Sequence, residues 1–138
     1  MSFFGSMDIA TSGMTAQRLR LDVISQNLAN VDTTRTPEGG PYRRKDVLFE
    51  NVLATTQSGQ KKNTVRVSAI VEDEGEFPVI YDPTHPDADE NGYVQKPNVN
   101  SVDEMVNMIS ASRSYEANIT AFNTMKAMTN KALEIGRG

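Results

Sequence analysis

Two heptad seams, one near each end of the chain, constrain its fold more than any other feature. Met7, Ala10, Met14, Gln17, Leu21, Ile24, Leu28 and Val31 fall on the first; Met108, Ala111, Tyr115, Asn118, Phe122, Met125, Thr129 and Ala132 fall on the second. Side chains recurring at this spacing make amphipathic helices that pair with each other and with further helices. Helix one is expected over 6–30, with Ser6 as its cap and Asp8 in its first turn. Its opening is weak, because Thr11, Ser12, Gly13 and Thr15 are poor helix formers. The first two turns are therefore expected to be disordered unless something packs on them. Helix two is expected over 101–135. Ser101-Val102-Asp103-Glu104 reads as a capping box, with Ser101 capping, Glu104 reaching back, and Gly136 as the stop. At 1.5 Å per residue the helices would span about 38 and 52 Å, too long for either to bury itself against so short a middle.

That middle is punctuated by turns. Residues 32–41 hold two prolines and two glycines and read as a loop. Residues 46–53 form a short apolar segment whose length does not separate strand from helical turn, and 54–63 look like an exposed linker. Residues 64–71 alternate, with Val65, Val67, Ala69 and Val71 on one face. Their expected mate is 77–81, across the acidic turn Glu72-Asp73-Glu74-Gly75-Glu76. An acidic loop follows over 82–91, then a turn at Asn91-Gly92 and a short strand over 93–96. The fold class is thus mainly α with a small β insertion: N- and C-terminal helices paired as an antiparallel coiled-coil-like unit, with a β-hairpin region between. The expected division is a discontinuous helical unit, 1–36 with 97–138, and a loop and hairpin region, 37–96.

Composition narrows the function. At 138 residues the chain allows one modest domain, and a hydrophobic content of 38% without Trp gives it a thin core. Some helical surface therefore needs partners outside the chain. The net charge of −4 argues against nucleic acid. The absence of cysteine removes disulfides, Cys-ligated zinc, iron–sulfur clusters and thiol chemistry. The first residues lack a basic region, so a cleaved signal peptide is not expected, and no stretch reaches the roughly 18 apolar residues of a membrane span.

Little in the chain suggests catalysis. Asp82, His85, Asp87, Asp89 and Glu90 form the one metal-like constellation, and 87–92 match the first half of a calcium loop. Its twelfth position is Asn98 in place of the bidentate Glu, and Pro83 and Pro86 forbid the entering helix. A solvated acidic turn is the better reading; a metal-dependent enzyme centred on 82–90 is the weaker alternative. Gly39-Gly40 lacks the Lys and following helix of a phosphate loop. Tyr42-Arg43-Arg44-Lys45 suits an acidic protein surface. No catalytic residue, metal or cofactor is expected.

The segment Ser25-Gln26-Asn27-Leu28-Ala29-Asn30 resembles the Ser-x-Asn-Leu-Ala-Asn signature that closes the N-terminal helix of bacterial flagellar axial proteins. Most members continue with Thr-x-Gly-Phe/Tyr. Here Asp32-Thr33-Thr34-Arg35 follows, and later Gly39-Gly40-Pro41-Tyr42-Arg43-Arg44. That departure resembles the branch of proximal rod proteins of the FlgC type. Tyr81-Asp82-Pro83, Asp87-Ala88-Asp89, Gly92-Tyr93-Val94, Pro97-Asn98-Val99-Asn100 and the stretch 104–118 are similar to the same branch.

The resemblance implies a structural subunit of the flagellar basal-body rod, joining other rod proteins and the rod–export-gate adaptor in a shaft that transmits torque and lines an export channel. It implies self-association within a hetero-assembly, export without a cleaved signal peptide, and a location outside the inner membrane. The expected assembly interface is Met7, Met14, Leu21, Ile24, Leu28, Met108, Tyr115, Ile119, Phe122 and Met125. The residues carrying the family pattern are Ser25, Asn27, Leu28, Ala29, Asn30, Asp32, Thr33, Thr34, Tyr42, Arg43 and Arg44. Asn27 and Asn30 are expected to shape the exit from helix one. A soluble coiled-coil adaptor or secretion chaperone is the competing reading.

Overall fold

The computed structural model describes residues 3–56 and 58–138. The first two residues of the expected 1–36 segment, and Gln57 in the expected linker, lie outside them. The elements run α1 (Phe3–Ala29), β1 (Lys45–Thr55), β2 (Lys61–Glu72), β3 (Val79–Tyr81), β4 (Tyr93–Gln95) and α2 (Ser101–Arg137). The class is mainly helical with a small β insertion, and the terminal helices pair along their length.

α1 is the middle layer. α2 lies on one side of it and the β1–β2 hairpin on the other. Ala10, Ala16, Val23 and Ile24 are buried in α1, and two of these are alanines, small enough for neighbouring backbones to approach. Asn27 meets Glu104, and Gly13 meets Asn118, so the helices are antiparallel. Carried along the pair, this register sets Phe3 opposite Met128, and residues 129–138 of α2 run on past α1. On α2, Met108, Tyr115, Asn118, Phe122 and Met125 are half-buried and Ala111 is fully buried, whereas Ala132 is exposed beyond the end of its partner.

The weak opening of α1 has physical supports. The hydroxyls of Thr11, Ser12 and Thr15 donate to carbonyls of the preceding turn at 2.9, 2.7 and 3.1 Å. Ser12 Oγ also accepts from the Val65 amide at 3.2 Å, and Lys62 pairs with Asp8. The hairpin thus supplies packing on the turns expected to need it. Because α1 starts at Phe3, Ser6 lies inside the helix instead of capping it, and Asp8 falls outside the first turn.

The expected hairpin partner is corrected. β2 pairs antiparallel with β1, from Lys45 opposite Glu72 to Thr55 opposite Lys61. The stretch expected as a linker is strand ends and the turn between them, where Gly59 takes a φ of +80° and Thr56 Oγ1 accepts from the Gln60 amide at 3.1 Å. The acidic run 72–76 is no turn. The Asp73 amide donates to Arg44 O at 2.8 Å, and Arg43 donates to the carbonyls of Asp73 and Gly75 at 2.8 and 3.0 Å. These bonds draw the run out as a strap. β3 pairs with β4 instead. A bulge near Leu48/Phe49 also breaks the expected single face: Val65 and Val67 are half-buried, Ala69 and Val71 exposed.

Both ends of α2 differ from expectation. Asn100 is the N-cap, its side chain accepting from the amides of Val102 and Asp103 at 3.0 and 3.1 Å. Glu104 is thereby free of any capping duty. At the other end the helix continues through Gly136, and Gly138 caps it.

Gly13 has a packing role that its low helix propensity conceals. A Cβ there would lie 2.8 Å from Asn118 Nδ2 and 3.0 Å from its Cγ, and that amide is itself bonded to Ser114 O at 2.9 Å. Gly13→Ala is therefore expected to lower the thermal midpoint despite a helix-propensity gain of about 1 kcal/mol. Adding Asn118→Ala should reverse the loss, giving a coupled double-mutant cycle in thermal unfolding.

Candidate functional site: a buried polar junction and the faces around it

Where α1 ends and α2 begins, the chain buries a polar group on each. Asn27 is 0% exposed and Glu104 1%. Asn27 Nδ2 donates to Lys45 O at 2.8 Å and to Glu104 Oε2 at 3.2 Å. Asn27 Oδ1 accepts from the Tyr42 hydroxyl at 2.9 Å and the Lys45 amide at 3.0 Å. Both donors and both acceptor positions of the amide are thus used. The other Glu104 oxygen, Oε1, takes the Arg44 guanidinium, so the buried carboxylate is paired and hydrogen-bonded, as burial of a charge demands.

Arg44 extends the network to the surface. Its amide donates to Asn98 Oδ1 at 2.7 Å, and its guanidinium lies 3.4 Å from Asp46 and 3.6 Å from Asp73. Desolvation pulls the Arg44 pKa down, but the hydrogen bond and charge of Glu104 outweigh it, and the group is held above its ordinary value. Asn98 Nδ2 donates to Asp73 O at 3.0 Å, and Arg43 stacks 4.2 Å over the Phe77 ring. One helix end, one strand start, the strap and the other helix start are fastened at a single point.

The loop after α1 is closed by its own side chains. Asn30 Nδ2 donates to Gln26 O at 2.8 Å, and Thr33 Oγ1 donates to Asn30 Oδ1 at 3.1 Å. Thr34 Oγ1 donates to Asp87 at 2.6 Å, and Arg35 pairs with the same carboxylate. The Thr34 bond, then Arg35, hold the Asp87 carboxyl below the usual range against a smaller opposing effect of desolvation. The other carboxylates of the acidic loop serve its turns: Asp82 accepts from Thr84, and Asp89 from the amides of Asn91 and Tyr93.

The ten residues expected at an assembly interface are buried or half-buried in the single chain. Other apolar side chains are left outside. Val102, Met105, Val106 and Ile109 line one stripe of α2 and are 54–68% exposed. Leu48, Phe49, Leu53 and Ile70 are exposed on the hairpin, as are Val79, Ile80, Tyr81 and Tyr93 on the β3–β4 pair. Among the described residues no helix is long and apolar enough to cross a membrane.

Residues 7–35 match the family model described as flagella basal body rod protein, and residues 90–135 the one described as flagellar basal body rod FlgEFG protein C-terminal. The chain is 50% identical to the flagellar basal-body rod protein FlgC of Bacillus subtilis (strain 168), over 99% of this chain and 100% of that protein. It is 47% identical to the FlgC of Borreliella burgdorferi over all of both chains. Identity to the FlgC of Salmonella typhimurium is 45%, over 99% of this chain and 100% of that protein. The chain belongs to the FlgC family of flagellar basal-body rod proteins. It is accordingly a structural subunit of the flagellar basal-body rod and not an enzyme.

Most of the residues that carry the family pattern converge on the junction or its loop. Asn27, Tyr42 and Arg44 are in the network; Arg43 holds the strap; Asn30, Thr33 and Thr34 close the loop; Leu28 is half-buried beside them. Asp32 lies 3.8 Å from Lys96 and is exposed, and Ser25 and Ala29 are exposed on the outer side of α1. Sequence reasoning missed Glu104, Asn98 and Asp73. An acidic residue three positions after a serine imitates a capping box, and only the arginine pair some sixty residues earlier hinted at a different partner.

Glu104→Ala would leave one Asn27 donor buried without an acceptor and take from Arg44 its closest partner, though Asp46 and Asp73 remain beside it, and is expected to cost about 1–3 kcal/mol, measured by urea unfolding. Burial, then the charges of Glu104 and Glu72, raise the Tyr42 pKa above its ordinary value. A raised pKa in the folded state gives stability that is full below the unfolded value and lost as pH rises through the folded one. Stability should therefore fall as pH climbs past about 10, and Tyr42→Phe should flatten that part of the profile.

Proposed function

We propose that this subunit builds the rod by laying its antiparallel helix pair against those of other rod proteins and of further copies, and that the resulting shaft transmits torque and walls an export channel. The observation that carries this is the stripe Val102, Met105, Val106 and Ile109, apolar and turned outward on a helix whose other side is already packed. In this reading 1–36 and 97–138 form the inner tube, and 37–96 lie outside it against adjacent subunits. The relatives' names support a place in the flagellar basal-body rod; a position outside the inner membrane, reached without a cleaved signal peptide, and the rod–export-gate adaptor as a neighbour are parts of the same proposal.

The seam residues Met7, Met14, Leu21, Ile24, Leu28, Met108, Tyr115, Ile119, Phe122 and Met125 bear the load. Each is buried or half-buried, so in this reading twisting one helix past the next must break many contacts together. The parts of these side chains left open reach the neighbouring subunit.

Phe122 is half-buried, so Phe122→Ala should cost less than the roughly 3–5 kcal/mol of a fully buried phenylalanine. Its larger effect is expected in assembly: reduced recovery of the subunit in detergent-extracted hook–basal bodies, and basal bodies that lose resistance to salt and acid. Recovery and resistance at wild-type level would overturn the assignment.

A further inference from the structure

The long axis of the molecule is electrically polar. At the junction end, Glu72, Glu74, Glu76 and Asp103 are exposed, and none of the four forms an ion pair among the described residues. The cations near them are turned inward: Arg44 to Glu104, Arg43 to backbone carbonyls and the Phe77 ring, Lys45 over the Tyr42 ring. The far end of α2 has the opposite character. Lys126 and Arg137 are exposed there without an acidic partner among the described residues, and Lys131 lies 3.6 Å from Glu134, the sole acidic side chain after Glu116; Met128, Leu133 and Ile135 are exposed among them.

The acidic end also has a receiving shape. Asp73, Asn98, Asn100, Asp103, Val106 and Asn107, together with the paired Arg44 and Glu104, line a cleft of about 440 Å³, so strap and helix face one hollow. Beside it runs the apolar stripe of Val102, Met105, Val106 and Ile109. We propose that this cleft and stripe receive the basic, apolar C-terminal end of an α2-type helix from an adjoining subunit. The proposal rests on the rod assembly above and names one of its contacts.

Three arguments converge. Charge is complementary, negative at the acidic end and positive at Lys126 and Arg137 of the last turns of α2, which orients the approach and rejects the reverse polarity. The apolar content matches: Val102, Met105, Val106 and Ile109 share one stripe, and Met128 and Ile135, seven positions apart, share one face of the incoming helix. Length excludes the intramolecular alternative: α2 has 37 residues, about 55 Å when straight, so its own end cannot fold back onto its first turns. A contact between two different patches is heterologous, and such contacts propagate along an open array instead of closing a dimer. The family model matching residues 90–135 is described for FlgEFG proteins, so helices of this kind are not confined to this chain.

The test titrates the isotope-labelled full chain with an N-acetylated peptide of residues 122–138. The amide signals of Val102, Met105, Val106, Ile109, Glu74 and Glu76 are expected to shift, with affinity falling as salt rises. A peptide carrying Lys126→Glu, Lys131→Glu and Arg137→Glu should lose binding to the native chain. It should regain binding to a chain carrying Glu74→Lys, Glu76→Lys and Asp103→Lys, surface changes that leave the fold intact by circular dichroism. No shift at millimolar peptide, shifts confined to other residues, or equal binding of both peptides would overturn the proposal. So would a closed dimer through the same stripe in sedimentation. Full recovery of the triply reversed chain in basal bodies would overturn this contact alone. Failure of the native chain to enter basal bodies would instead count against the rod assembly.

Discussion

The pairing of buried Glu104 with Arg44 and Asn27 organises the rest of the molecule. Replacing such an ion pair by apolar residues is often neutral or stabilising, so net stability is not its clearest contribution. Register is. The α1–α2 seam is built from small and half-buried side chains at repeating positions, and a one-turn slip would re-form many of the same apolar contacts. It would also strand a carboxylate, a guanidinium and a fully bonded amide away from water. The penalty for that is several kcal/mol per group, and it selects a single alignment.

That alignment has consequences along the whole length of α1. Fixing Asn27 against Glu104 brings Gly13 against the Asn118 side chain, which would have to shift to admit a Cβ. It also sets the start of β1 beside the end of α1, so the hairpin must run back along the helix and meet its opening turns at Ser12 and Asp8. The weak helical sequence at 11–15 is tolerable because the junction at Asn27, near the other end of the same helix, delivers a second layer to it. Residues 129–138 of α2, by contrast, receive no cover from the described part of α1, and keep their apolar side chains in water.

Much of this was legible beforehand. Period 3.5 in both termini marked the helices and the seam, since Ala10, Ile24 and Ala111 are buried where the heptads put them. The alternation of 64–71 marked a strand, but periodicity carries no information about its partner. Residues 72–76 look like a turn by composition; Arg43 and Arg44 hold them extended, a tertiary effect no local pattern reports. Glu104 was misplaced for the same reason, because Asn100 already satisfied the amides that a capping box would serve. Ala16, Val23 and Asn27 fall off the heptad seam because α1 has two packed sides, while a heptad ruler measures one.

A rod subunit faces two demands that its charges meet differently. Within the chain, the Glu104 carboxylate is buried and Arg44 is only partly exposed, so bulk ions screen the pair less than surface charges and the helix register depends little on ionic strength. Between chains, the exposed carboxylates and lysines act through water, where their attraction is short-ranged and modest. Such surface charge suits steering and polarity better than permanent hold. Persistence under load must come from apolar area withdrawn from water, at roughly 25 cal/mol per Å². The outward stripe of α2 supplies that area next to the acidic rim, which places the orienting and the holding interactions on the same few turns of helix.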